Sequence, residues 1–184
     1  MKSLSAVPLF HSRTSPANRR RQSGVGMVEI LVAVLVVSFG FLAAAQMQVR
    51  GMRFSQTAYF LSQANFMLND ITDRMRANRT GVVDGEYAGF TINGSTSAPT
   101  CISSQTPCNS TALAQADLHA WSSYLHDTSS SSDFLPLLPS GPTVTATGTI
   151  TEDAATGVHT ITVSWSEFVD GTEITQSLIR QFFP

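Results

Sequence analysis

The chain has 184 residues, 42% of them hydrophobic and 13% charged, with a formal net charge of −2. The near-neutral total hides an asymmetry. Five of the eleven basic residues (Lys2, Arg13, Arg19, Arg20, Arg21) lie in the first 24 positions with no acid, leaving six basic and thirteen acidic side chains after them, a net of −7. A body this acidic argues against nucleic acid or anionic lipid as its main direct partner, and the length suffices for one small domain on an extended element.

The first 24 residues read as a polar leader. Arg19-Arg20-Arg21-Gln22-Ser23-Gly24 passes directly into Val25-Gly26-Met27-Val28-Glu29 and an apolar run that ends at Ala45. In a secretory signal the small-residue cleavage site follows the apolar region, whereas here a glycine precedes it. This order resembles a type IV prepilin. The resemblance implies a prepilin peptidase/methyltransferase that cuts after a glycine on the cytoplasmic side and methylates the new amine. A glutamate is the fifth mature residue in that pattern. A cut after Gly24 makes Glu29 the fifth, and a cut after Gly26 makes it the third. Gly24 and Val25 are therefore the expected cleavage pair, with Val25 N-methylated. The Val25-Gly26 start departs from the usual Phe or Met followed by Ser or Thr, which bears on processing.

Residues 25–45 form the hydrophobic segment. Its 21 residues span roughly 31 Å as a helix, the thickness of a bilayer's hydrocarbon layer. Ile30–Val37 is apolar all round, with no face reserved for a globular core. A membrane helix is expected before assembly, with the arginines on its cytoplasmic side. Glu29 is the anomaly, because a charge in such a segment needs an interfacial position or a partner. One reading places it in the first turn, where the helix dipole favours an anion. The other, which the resemblance supports, pairs it with the N-terminal amine of a neighbouring subunit and so sets axial register.

The helix is expected to continue to about Asn78, with residues 46–80 as its amphipathic half. Phe54, Ala58, Leu61, Ala64, Leu68, Ile71 and Met75 recur at steps of three and four. Asp70 with Arg74 and Asp73 with Arg76 are spaced as helical ion pairs. Gly40 and Gly51 weaken the helix, and Gly81 is its expected stop.

Residues 81–184 are expected to form a globular α+β domain. Tyr87–Asn93 reads as a short strand or loop. Cys101 and Cys108, seven positions apart, are expected to be bridged in an oxidising compartment; a metal site with His119 or His126 lacks the close cysteine pairs of zinc modules. Asn109 and Ser110 can cap a helix over Thr111–His126, with Leu118, Trp121 and Leu125 on one face. Thr128–Pro142 reads as a solvated loop. Thr143–Thr151, Val158–Glu167 and Thr172–Phe182 read as three strands of an antiparallel meander, with Ile161, Val163 and Trp165 facing inward, Thr160, Thr162, Ser164 and Ser166 outward, and a turn at Asp170-Gly171.

Beyond the leader, Asp73-Arg74-Met75-Arg76-Ala77-Asn78-Arg79, the Cys101…Cys108 pair, Ala114–Trp121, Leu138-Pro139-Ser140-Gly141 and Ile161–Trp165 resemble the PilV family of minor pilins, also called type IV pilus modification proteins. The resemblance implies the type IV pilin fold, a long N-terminal helix packed on a small antiparallel sheet. It implies residence in the bacterial inner membrane as a single pass, then incorporation into the extracellular pilus fibre, at the tip. The implied partners are other minor pilins, the major pilin, the inner-membrane assembly platform, membrane lipid before assembly and a large tip adhesin. The implied roles are priming of pilus assembly, twitching motility and cell adhesion. The nearest alternative is a minor pseudopilin of type II secretion. An uncut membrane anchor glycosylated at Asn78, Asn93 or Asn109 is a further one. His11, His119, His126 and His159 are scattered, with no arrangement suited to nucleophilic catalysis, so neither an enzyme nor a cofactor is expected.

Overall fold

The computed structural model describes residues 26–104, 106–128 and 133–184. The chain divides after Met47 into two compact units. Helix α1 runs over Met27–Ala77. Then come α2 (Arg79–Val83), β1 (Phe90–Thr91), α3 (Thr100–Ser104), α4 (Ser110–Ser122), β2 (Thr147–Glu152), β3 (His159–Val169) and β4 (Thr172–Phe182). The strands form one antiparallel sheet in the order β1-β2-β3-β4. This is the long helix with an antiparallel C-terminal sheet that the type IV pilin resemblance implied, with β1 as a fourth strand beyond the expected meander.

The core of the second unit lies between the lower part of α1, α4 and one face of the sheet. Ala64, Met67, Leu68, Ile71 and Met75 supply the helix side. Trp121 and Leu118 come from α4, and Ile150, Ile161, Val163 and Trp165 from the strands. The Trp121 indole nitrogen donates to the Met67 carbonyl at 3.1 Å, which fixes the ring as well as satisfying its one donor. The expected stripe holds only in this lower part. Phe54, Ala58 and Leu61 are exposed, and the half-buried Thr57 and Phe60 take their place. At about 100° per residue, positions 54, 58 and 61 are rotated roughly 60–120° from the centre of the buried face at Ala64.

Other boundaries move for identifiable reasons. Gly81 does not stop α1. The break falls at Asn78 (φ −112°, ψ 58°), whose side chain accepts from the Gly81 N–H and caps α2. Gly81 lies inside α2 because a Cβ there would stand 2.5 Å from Asn78 Nδ2 and 3.1 Å from the Ser110 carbonyl. Helix α4 ends at Ser122 instead of His126. Its capping by Asn109 is as expected, with Asn109 Oδ1 accepting from the Ala112 N–H at 2.8 Å. Tyr124 and Leu125 follow in turns. The Cys101–Cys108 disulfide closes the loop around α3, a one-turn helix that the sequence pattern did not announce.

Strand β2 begins at Thr147, four residues late. The backbone before it is held by side chains in place of a ladder: Glu173 accepts from the N–H groups of Thr143 (3.1 Å) and Val144 (3.0 Å), and Ser140 Oγ accepts from the Ala146 N–H. Ser166, expected on the solvent face, is buried because this loop covers it. Its hydroxyl donates to Glu173 and its N–H donates to the Pro139 carbonyl. The loop is also more than a solvated connection, since Leu138 is fully buried in the core. Glu173 is held below the usual carboxylate range, first by the Thr143 hydroxyl and then by Ser166 and the two N–H groups. The hairpin β3–β4 turns through Asp170 (φ 50°) and Gly171 (φ 83°), the two left-handed positions of a type I′ turn closed by the pair Val169↔Thr172.

Gly148 on β2 tests the core most sharply. A Cβ at this position would lie 2.5 Å from Trp121 Cη2 and 2.8 Å from Ile92 Cδ1. Gly148→Ala should therefore destabilise the domain by about 1–3 kcal/mol, or roughly 2–4 °C in Tm per kcal/mol. Thermal unfolding followed by tryptophan fluorescence checks this, and an unchanged Tm would mean that the indole does not seat against β2.

Candidate functional site

Two groups of residues stand out, one in each unit. In the first, every described residue from Gly26 to Met47 is exposed, including Val28 at 72%, Leu31 at 64%, Val36 at 62% and Phe41 at 70%. The backbone reason is plain. A run of Val, Leu, Ile and Ala in helical conformation satisfies its own N–H and C=O groups and turns only apolar atoms outward. The one hydroxyl in the run, Ser38, donates to the Val34 carbonyl at 2.7 Å, so its own donor is paired. The segment is long and apolar enough to cross a membrane. An apolar surface of this extent on a soluble monomer would be an aggregation site, so it needs lipid or other helices around it.

Gly26 opens this helix, its carbonyl accepting from the Glu29 N–H at 2.9 Å and the Ile30 N–H at 3.3 Å. Glu29 is the acid of the first turn, where the helix dipole favours it. Its side chain is exposed and has no ion-pair or hydrogen-bond partner among the described residues. Gly24 and Val25 lie outside the described residues. Gly40 and Gly51 have nothing within 4 Å of a hypothetical Cβ, so no packing inside the chain requires them to be glycine.

The second group is a buried polar relay where α1 meets α2, α4 and the loop before β1. Arg74 donates to Asp70 Oδ2 at 2.8 Å and to Asp117 Oδ1 at 3.4 Å. The Tyr87 hydroxyl donates to Asp117 Oδ2 at 2.6 Å. Asn78 Nδ2 donates to the Tyr87 oxygen at 3.1 Å and to the Ser110 carbonyl at 2.7 Å. The Tyr124 hydroxyl closes the set on Asp70 at 3.2 Å. Burial alone works against the Arg74 charge, but the two carboxylates outweigh it and raise its pKa. Burial first, and then the bond to Asp117, push the Tyr87 phenol up. Burial and Asp70 do the same to Tyr124. Every member has a partner, so the relay fixes the geometry between elements and exposes no reactive group.

This relay explains much of the Asp73–Arg79 block that drew attention in the sequence. Arg74 and Asn78 face inward, whereas Arg76 pairs with Asp73 at 2.7 Å on the surface. Tyr87 and Tyr124 were missed, because only a fold brings positions 74, 87, 117 and 124 together. Asn78 is buried with both ends of its amide engaged, which leaves no room for a glycan. His159 is buried beside Phe182, with Nδ1 3.1 Å from the Gly157 carbonyl. Among the described residues no group of three or more His, Cys, Asp or Glu side chains is placed to hold a metal ion.

Residues 46–119, less than half of the chain, match the model of the Tt1218-like family, described as type IV pilin Tt1218. The match spans the amphipathic half of α1, the relay except Tyr124, and α4 as far as His119. It supports a type IV pilin subunit, a structural protein by family, and does not reach the finer subfamily. No curated protein and no solved structure matches the chain significantly.

Tyr87→Phe should cost about 1–3 kcal/mol at neutral pH, because Asp117 then keeps a buried oxygen without its best donor. Since its raised pKa favours the neutral phenol in the folded state, the contribution of Tyr87 should hold below about pH 10 and fade as the pH rises through its folded pKa. Denaturant melts of both proteins at pH 7 and pH 11 check this; an equal gap at both would remove the proposed bond.

Proposed function

We propose that the chain is a minor pilin of the type IV pilus, of the PilV kind. It is stored in the inner membrane by residues 25–45 and released from its leader, residues 1–24, by a prepilin peptidase that cuts between Gly24 and Val25 and methylates Val25. The observation that carries this reading is the junction within α1. An apolar, fully exposed segment with a lone carboxylate in its first turn continues into an amphipathic segment packed on a sheet, and the latter matches a pilin family.

After cleavage the new amine and Glu29 supply opposite charges at one end of the helix. When helices of neighbouring subunits bundle away from water, the Glu29 carboxylate of one subunit pairs with the amine of another, because an unpaired charge in that setting is costly. The pair sets how far an incoming subunit rises. The apolar flank then packs on its neighbours, and residues 81–184 form the outward head. The PilV resemblance adds a low-copy complex with other minor pilins that primes assembly, and a position at the tip with an adhesin, serving twitching and adhesion. A minor pseudopilin of type II secretion would use the same chemistry. Loss of twitching with intact protein export in a deletion strain favours the pilus, and the reverse favours the pseudopilus.

Expression with and without a prepilin peptidase, followed by intact mass and N-terminal analysis, tests processing. The expected product is a peptidase-dependent chain beginning at N-methylated Val25, with Gly24→Ala blocking its formation. Normal processing of Gly24→Ala, or an uncut chain in the presence of peptidase, would overturn the reading.

A further inference from the structure

Glu167, near the end of β3, is an acid with no ion-pair partner among the described residues. It is nine-tenths buried, and its two oxygens accept from neutral donors only: Oε1 from the Trp165 indole nitrogen at 2.8 Å and Oε2 from the Thr57 hydroxyl at 2.9 Å. A carboxylate has about four lone-pair sites, so half its capacity is unused. It borders a recess of about 230 Å³ between α1 and the loop at Pro139–Ser140. The Phe60 and Phe168 side chains also line this recess, and Phe168 is 57% exposed. Arg53 stands at the same recess but points to Asp170 at 3.2 Å, with both side chains largely in water (59% and 89% exposed), a pair of little strength.

We infer that this recess is a docking site for one arginine side chain of a partner protein, with Glu167 as its counter-ion. A buried carboxylate held by neutral donors is best stabilised by an incoming cation, and a guanidinium adds hydrogen bonds to the free lone pairs. The aromatic pair suits its flat face. The volume lies below the roughly 300–1,000 Å³ of small-molecule pockets, which fits a single side chain and not a larger ligand. The charge of the surrounding chain agrees. Residues 25–184 carry a net −7, so a partner with a basic surface is drawn to them and a second copy is not. This inference does not depend on the pilin reading.

The chain has two tryptophans, and their indole N–H groups report separately. Trp165 donates to Glu167, and Trp121 donates to Met67 in the core. Full-length protein in detergent micelles, ¹⁵N-labelled at tryptophan, is titrated with N-acetyl-arginine amide, with N-acetyl-glutamine amide as the neutral control. The expected result is a saturable shift of the Trp165 indole signal with Trp121 unmoved, absent with the neutral control. Glu167→Gln should keep the Trp121 signal in place, showing the fold intact, and weaken binding at least about tenfold. Joint movement of both indoles, no movement of either, or an unchanged titration in Glu167→Gln would overturn the site. Movement that appears only in Arg53→Ala would assign the recess to the chain's own Arg53 and equally overturn it.

Discussion

Helix α1 has to satisfy two different surroundings with one backbone. From Met27 to about Ala45 its side chains are apolar in every direction apart from Glu29 and Ser38, and none is buried among the described residues. From Ala64 to Arg76 one face is sealed under Trp121, Tyr87 and the sheet while the other exposes Asn65, Asn69, Asp73 and Arg76. The first segment is stable only in lipid or among other helices; the second is stable only with its own domain folded on it. Everything else in the molecule serves that division. The domain hides the apolar face of the second segment.

Holding the domain on the helix falls to polar groups as much as to the core. Asp117 on α4 gathers Arg74 from α1 and Tyr87 from the loop before β1, and Asn78 ties Tyr87 to Ser110. On the far side, Arg180 of β4 donates to Asn65 and Asn69 of α1. Apolar packing alone tolerates sliding and repacking. A relay in which each buried donor has one acceptor within reach does not, because any slip leaves a buried group unpaired at a cost of roughly 1–3 kcal/mol. Glu173 works in the same way on the loop at 140–144, replacing ladder bonds with side-chain ones.

What was legible in the sequence followed short-range patterns. The Asp170-Gly171 hairpin, the alternation of Ile161, Val163 and Trp165, the Asn109 cap and the Asp70–Arg74 pair each depend on residues within a few positions of one another, and each stands where the pattern put it. What escaped depends on distant partners. Gly81 looked like a helix stop because Gly commonly is one; its reason is the Asn78 amide and the Ser110 carbonyl pressed against it. Leu138 sat in a Pro- and Ser-rich stretch with no periodicity to mark it as core. Nothing local set apart Glu167, at the end of one expected strand, or Glu173, near the start of the next. Their partners lie 110 and 30 positions away, at Thr57 and Thr143, beyond the reach of any local rule.

In the proposed function, the exposed end of α1 is an assembly element with Glu29 as its register charge. The most direct measurement compares wild type and Glu29→Ala by immunoblot of sheared pili and of membranes from the same cells. The expected result is equal amounts of processed protein in the two membranes and at least about a tenfold loss of the variant from the filament fraction, since an unpaired amine would be left in an apolar bundle. Equal incorporation of Glu29→Ala, or absence of the wild-type chain from filaments, would contradict it.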